Sequence, residues 1–277
     1  MRIHFTVVTA MLLCGLGGSG LAAAADSKTT SDANSKVPAH QKHPLDSESP
    51  KPQGSMVDLT LEKGGTSKAY LAKPEGAPKG ALLVVHEWWG LNDHIKAEAD
   101  HFAKLGYLAL AIDLYDGKVA TSSDEAQKLM GALDDAHSTD IEKAGLKYLK
   151  SNAGGVKIGT IGWCMGGGQS LNASLADPED VSVTVMYYGM PVTDVAKLKT
   201  LHNDAVLGIW ANKDGWITPD KVKAFDKALT DAGIKHEFHP FDADHAFANP
   251  SGGKYNPEAA KQANAITEKF LAENFKK

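Results

Sequence analysis

Beyond Met56 the chain alternates between short apolar runs and segments whose apolar residues recur every three or four positions. Ala81-Leu82-Leu83-Val84-Val85 contains no polar residue, the mark of a strand covered on both faces of a sheet. Residues 107–112, 156–161, 181–187, 205–211 and 236–241 predict further strands. Residues 56–62 and 69–73, split by the turn signal Gly64-Gly65, predict an opening pair. Helical periodicity falls between the strands, over 95–105, 124–133, 140–149, 165–175, 219–232 and 257–275. Strand followed by helix, repeated along the chain, predicts an α/β domain with a mostly parallel central sheet and helices on both faces.

The first 55 residues do not follow this pattern. Met1-Arg2 supplies one positive charge, 5–21 is mostly apolar but diluted by Gly15, Gly17, Gly18 and Gly20, and 22–25 is a run of alanines. Residues 1–25 therefore predict a secretory signal peptide cleaved before Asp26, and so a secreted, periplasmic protein with no stable membrane insertion after cleavage. A retained anchor would need an undiluted apolar run and a basic flank. A lipoprotein acylated on Cys14 would need a small residue where Leu13 stands. Residues 26–55, rich in Ser, Lys, Pro and Asp, predict a disordered polar linker in which His40 and His43 are incidental. Residues 56–277 are then a single domain, and a chain with 43% hydrophobic residues overall can supply its core.

Composition sharpens this picture in two places. Arg2 is the only arginine, so the cleaved chain carries 28 lysines against 34 acidic residues, a net charge of −6. That balance argues against nucleic acid or an anionic membrane surface as a partner. Cys14 is removed with the signal, and Cys164 alone remains. No internal disulfide can form, and a lone thiol would ordinarily be read as a small buried apolar residue.

Its setting reverses that preference. Gly162-Trp163-Cys164-Met165-Gly166 joins a predicted strand to a predicted helix. A Gly-x-nucleophile-x-Gly turn there forces the central residue into a strained conformation and aims its side chain out at the carboxyl end of the sheet. Acyl transfer on a thiol needs a base and a carboxylate that orients the base, in the chain order nucleophile, acid, histidine. Asp214, in Ala211-Asn212-Lys213-Asp214-Gly215, follows the strand at 205–211, and His245, in Asp242-Ala243-Asp244-His245-Ala246-Phe247, follows the strand at 236–241. His236 and His239 lie within that strand and read as structural. His86-Glu87-Trp88-Trp89-Gly90 follows the strand at 81–85, in the loop that supplies one oxyanion-hole N–H in such sheets. Trp88 is the expected donor there and Met165 the other. The loop is not a zinc motif, because its fifth position is Gly90, and no phosphate loop occurs in the chain.

Taken together these motifs resemble the dienelactone hydrolase (carboxymethylenebutenolidase) family, α/β-hydrolases with a Cys-His-Asp triad. The resemblance runs from Met56 to the C-terminus and includes Gly106-Tyr107, Asp113-Leu114-Tyr115 and Tyr187-Tyr188-Gly189. It implies Cys164 as nucleophile, His245 as general base and acid, Asp214 as its orienting partner, and Glu87 as the glutamate that holds the resting thiol. It also implies a small ester or lactone substrate, an acyl-thioester intermediate, and no metal or organic cofactor. One departure concerns specificity. The family grips a substrate carboxylate with arginine, and lysine cannot reproduce that planar, two-pronged contact. Trp88, Trp89, Tyr115, Trp216 and Phe247 instead suggest a pocket for a neutral or apolar ester. Two other classes stay open: a thiol-based redox or stress protein, which would lack a resolving cysteine, and a ligand-binding protein that has lost turnover.

Overall fold

A computed structural model describes residues 51–276 apart from 203, so the predicted signal peptide and most of the predicted linker lie outside the described residues. The strands are β1 (Ser55–Thr60), β2 (Thr66–Ala72), β3 (Ala81–Val85), β4 (Leu108–Ile112), β5 (Ile158–Trp163), β6 (Val181–Tyr187), β7 (Ala205–Ala211) and β8 (Lys235–Phe241). They form one sheet in the order β1-β2-β4-β3-β5-β6-β7-β8. β1 and β2 form an antiparallel pair, and β2 runs antiparallel to β4. Every later pairing, from β4 across to β8, is parallel. The carboxyl ends of six strands therefore share one edge, where α/β sheets gather their functional loops.

Successive side chains of a strand point to opposite faces, and the core divides accordingly. Leu82 and Val84 of β3 pack with Ile95 and Phe102 of α1 (Asp93–Lys104) and with Ala263 and Phe270 of α7 (Pro257–Asn274). Leu83 and Val85 pack on the other face with Ile141, Leu146 and Leu149 of α3 (Asp135–Asn152). On that second face, toward β7, Val206 meets Leu171 of α4 (Met165–Ala176) and Phe225 and Leu229 of α6 (Pro219–Ala232). All five β3 side chains are fully buried, and burial of a Val or Leu stabilises the fold by about 1.5–3 kcal/mol. Two short helices, α2 (Ser123–Gly131) and α5 (Val195–Leu198), sit in the connections.

The differences from the sequence expectation have local causes. α3 starts five residues before 140 because Asp134 caps it, its side chain accepting from the His137 amide. The polar stretch Asp135-Ala136-His137-Ser138-Thr139 hides that first turn from any hydrophobic count. α5 is four residues long, too short to show a period. Contacts to the sheet domain also begin before Met56. The Gln53 amide donates to the Asp100 carboxylate at 2.9 Å, the Gly54 amide donates to the Tyr70 hydroxyl, and Ser55 opens β1. Polar anchoring of this kind leaves no hydrophobic pattern to read.

Candidate active site

The turn from β5 into α4 carries Cys164 at φ 56° and ψ −120°, a backbone conformation disfavoured for any residue with a side chain. It is held by close packing on both sides. A Cβ on Gly162 would lie 2.1 Å from the Gly166 carbonyl oxygen, and one on Gly166 would lie 2.4 Å from the carbonyl oxygens of both Val85 and His86. The Cys164 amide donates to the Tyr187 carbonyl at 3.0 Å, tying the turn to β6. Tyr188 and Ala246, the first in the loop after β6 and the second beside His245, also have positive φ. Strain is thus concentrated around the sulfur.

Three side chains predicted to act together are brought together. His245 Nε2 lies 3.0 Å from Cys164 Sγ, and His245 Nδ1 lies 2.6 Å from Asp214 Oδ2. Asp214 Oδ1 accepts from the amides of Trp216 at 2.8 Å and Ile217 at 3.0 Å. Burial pushes the Asp214 carboxyl up, but the His245 hydrogen bond and these amides outweigh it and hold the group below its ordinary value. An ionised carboxylate only accepts, so Nδ1 carries the imidazole proton and Nε2 is left to accept the thiol S–H. The thiol itself is pushed up to about 12, first by burial and then by the nearby charge of Glu87. The backbone N–H groups of Met165 and Trp88 point at the sulfur and oppose that rise, which places both expected donors at the reacting atom.

Glu87 is buried, and its pKa is raised to about 7, mainly by that burial, with Glu98 adding to it. Its Oε2 accepts from Asn249 Nδ2. The thiol is hydrogen-bonded to His245 and not to Glu87, so the glutamate acts on the sulfur here through its charge. Asn249 carries no signal in the sequence. Its own Oδ1 accepts from the Ser251 amide at 2.8 Å, which turns its NH2 group toward Glu87. His86, which opens the β3-loop motif but has no role assigned from the sequence, is a second contributor. It is fully buried, its Nδ1 lies 2.6 Å from the Glu87 carbonyl oxygen, and its Nε2 accepts from the Leu114 amide at 3.1 Å. Burial lowers its pKa, so a neutral imidazole pins the β3 loop to the β4 loop.

The aromatic candidates separate. Trp88 and Trp89 are half-buried and meet edge to face at 5.1 Å. Tyr115 is buried, and its hydroxyl donates to Met165 Sδ at 3.2 Å, next to the sulfur. Trp216 is exposed and stands perpendicular to the His245 ring at 5.2 Å. Phe247, expected in the pocket, is instead fully buried core between Tyr188 and Phe241. Tyr188, one residue beyond β6, is equally buried, and its ring lies 5.1 Å from that of His245, so it supports the imidazole from the core side. Among the described residues no group of three His, Cys, Asp or Glu side chains is placed to hold a metal ion, and no helix is long and apolar enough to cross a membrane.

Comparison with known proteins identifies the family. Residues 67–275 match the model of the dienelactone hydrolase family. The chain is 31% identical over 234 residues to Protein usf of Aquifex pyrophilus, covering 79% of this chain and 98% of that one. It is 32% identical over 252 residues to a Saccharolobus solfataricus protein named "Putative carboxymethylenebutenolidase", covering 75% and 94%. A Klebsiella pneumoniae structure, "Putative Dienelactone Hydrolase", superposes with a TM-score of 0.70 at 25% identity, over 79% of this chain and 98% of that one. The chain belongs to the dienelactone hydrolase family, and it is an α/β-hydrolase-fold hydrolase.

Proposed function

We propose that this protein is an exported hydrolase of small neutral esters or lactones in which Cys164 is the nucleophile and forms an acyl-thioester. The observation that carries the reading is the continuous hydrogen-bonded line from Cys164 Sγ through the His245 ring to the Asp214 carboxylate. As Sγ attacks the substrate carbonyl carbon, His245 Nε2 takes the thiol proton, and Asp214 steadies the imidazolium that forms. The carbonyl oxygen becomes an oxyanion facing the Trp88 and Met165 amides, which are preorganised donors in a water-poor site. Collapse breaks the bond to the leaving alcohol, which takes its proton from Nε2. Nε2 then removes a proton from water, whose oxygen attacks the thioester, and the carboxylic acid leaves as the thiol is restored. The absence of arginine beyond Arg2 favours a substrate without a carboxylate to be gripped.

The test is hydrolysis of p-nitrophenyl acetate and of a dienelactone by the protein cleaved before Asp26, beside Cys164→Ala and His245→Ala. Turnover of the simple ester is expected, with each variant losing at least about a thousandfold in kcat. Turnover that survives Cys164→Ala would overturn the nucleophile assignment. Peroxide consumption without ester turnover would instead support a thiol redox protein. Export is checked separately by the N-terminal sequence of the protein recovered from the periplasm, which is expected to begin at Asp26.

A further inference from the structure

Trp216 is the most exposed large apolar side chain among the described residues, at 66%, and Met190 is next at 53%. They occupy the loops after β7 and β6, the strands that follow β5 toward the His245 edge of the sheet. Exposed apolar surface is ordinary when scattered, but the largest instance here adjoins the reacting centre, its ring against that of His245. Nor is the Trp216 backbone loosely held. Its amide donates to the same Asp214 carboxylate that orients His245, and its carbonyl accepts from Lys221 Nζ at 2.8 Å. Its indole stands at 90° to the imidazole with centroids 5.2 Å apart.

This arrangement has a stereochemical consequence that rests on the reading above. His245 Nε2 must pass its proton to the leaving oxygen, so the alcohol portion of the substrate has to lie on the His245 side of the sulfur. We infer that Trp216 is the specificity-determining surface for the leaving group, and that the preferred substrates are esters of aromatic or similarly flat apolar alcohols. A flat ring on the indole would cover surface now facing water and gain ring–ring contact without any new charge.

Benzyl acetate and ethyl acetate test this, because they share the acyl group and differ in what the alcohol side presents. The readout is kcat/KM, which reports the steps through acylation and so includes the leaving group. For Trp216→Ala, kcat/KM for benzyl acetate is expected to fall about tenfold further than for ethyl acetate, with Trp216→Phe recovering most of the difference. Release of acetate from the common acetyl-enzyme, followed after a burst, is expected to be equal for the two esters within each variant. Equal losses on both esters would show that Trp216 serves only to orient His245, and no loss on either would remove it from the site. Both outcomes overturn the inference while leaving the hydrolase reading intact. If the wild-type protein cleaves p-nitrophenyl acetate but neither of these acetates, the inference falls alone; if it cleaves none of the three nor the dienelactone, the ester-hydrolysis reading has failed with it.

Discussion

Glu87 is the residue whose chemistry the geometry resolves most sharply. It neighbours the sulfur without being bonded to it, and its negative charge is the second cause, after burial, of the high thiol pKa. Because its own pKa is about 7, that charge is present above neutrality and absent well below it. Glu87→Gln is therefore expected to lower the thiol pKa and to speed alkylation by iodoacetamide at pH 8.5, because the reactive thiolate fraction grows about tenfold for each pH unit by which the thiol becomes more acidic. The two proteins should converge below pH 6, where the wild-type glutamate is neutral as well. A constant ratio across pH would rule out a charge effect. Cys164, Asp214 and His245 are all legible in the sequence, because each sits directly beyond a strong apolar strand and so has a fixed place at one sheet edge. Asn249 is not, since its value lies in a contact with a residue 162 positions away. Phe247 misleads for a related reason: proximity to His245 in sequence says nothing about which side of the loop a ring faces.

Among the elements, the β5–α4 turn combines the most strain with the least room. Gly166 has no positive φ, so its requirement is purely one of space, with two carbonyl oxygens 2.4 Å from where a Cβ would stand. Both are backbone atoms of β3 and its loop, which cannot rotate aside. Gly166→Ala is expected to cost about 3 kcal/mol or more in urea unfolding. Gly253→Ala, where nothing lies within 4 Å, should change stability by less than about 1 kcal/mol. Comparable values for the two would mean that α4 shifts away from β3 freely. The glycine frame is visible in the sequence, but its partner is not. Only the fold reveals that Gly166 permits α4 to touch β3, bringing the Met165 and Trp88 amides to one atom. Element limits are legible where a strong pattern meets a clear stop, as with β6, β7 and α6, the last closed by Gly233 in the left-handed region. They blur where a polar first turn opens the helix, as in α3.

Across the whole molecule, buried acid groups set how stability responds to pH. Beneath the sheet, Thr160, Ser170, Ser174 and Thr184 form a hydrogen-bonded chain that ends on Asp204, whose Oδ2 accepts from Thr184 Oγ1 at 2.5 Å. Burial raises Asp204 to about 7, with hydrogen bonds from Thr184 and the Ala205 amide opposing the rise. Glu87 is raised likewise, and Glu142, fully buried in α3, is raised well above its usual range. Each of these carboxyls keeps its proton in the folded chain at pH values where the unfolded chain has lost it. Stability therefore falls as pH rises from about 4 toward 7, with a slope that approaches about 1.4 kcal/mol per pH unit for each group. Asp214 and His86 act in the opposite sense. The depressed Asp214 loses its contribution as pH falls through its folded value, and neutral buried His86 opposes folding once the unfolded chain protonates near pH 6.5. Comparing one variant with the wild type isolates a single group. For Asp204→Asn, the unfolding free energy measured by urea at several pH values should fall less steeply between pH 4.5 and 6.5, by about 1 kcal/mol per pH unit. Because Asn can still accept from Thr184, the network survives and the altered slope reports the lost proton. Parallel curves would mean that Asp204 is ionised in the folded protein throughout that range, and that the Thr184 hydroxyl and the Ala205 amide outweigh its burial.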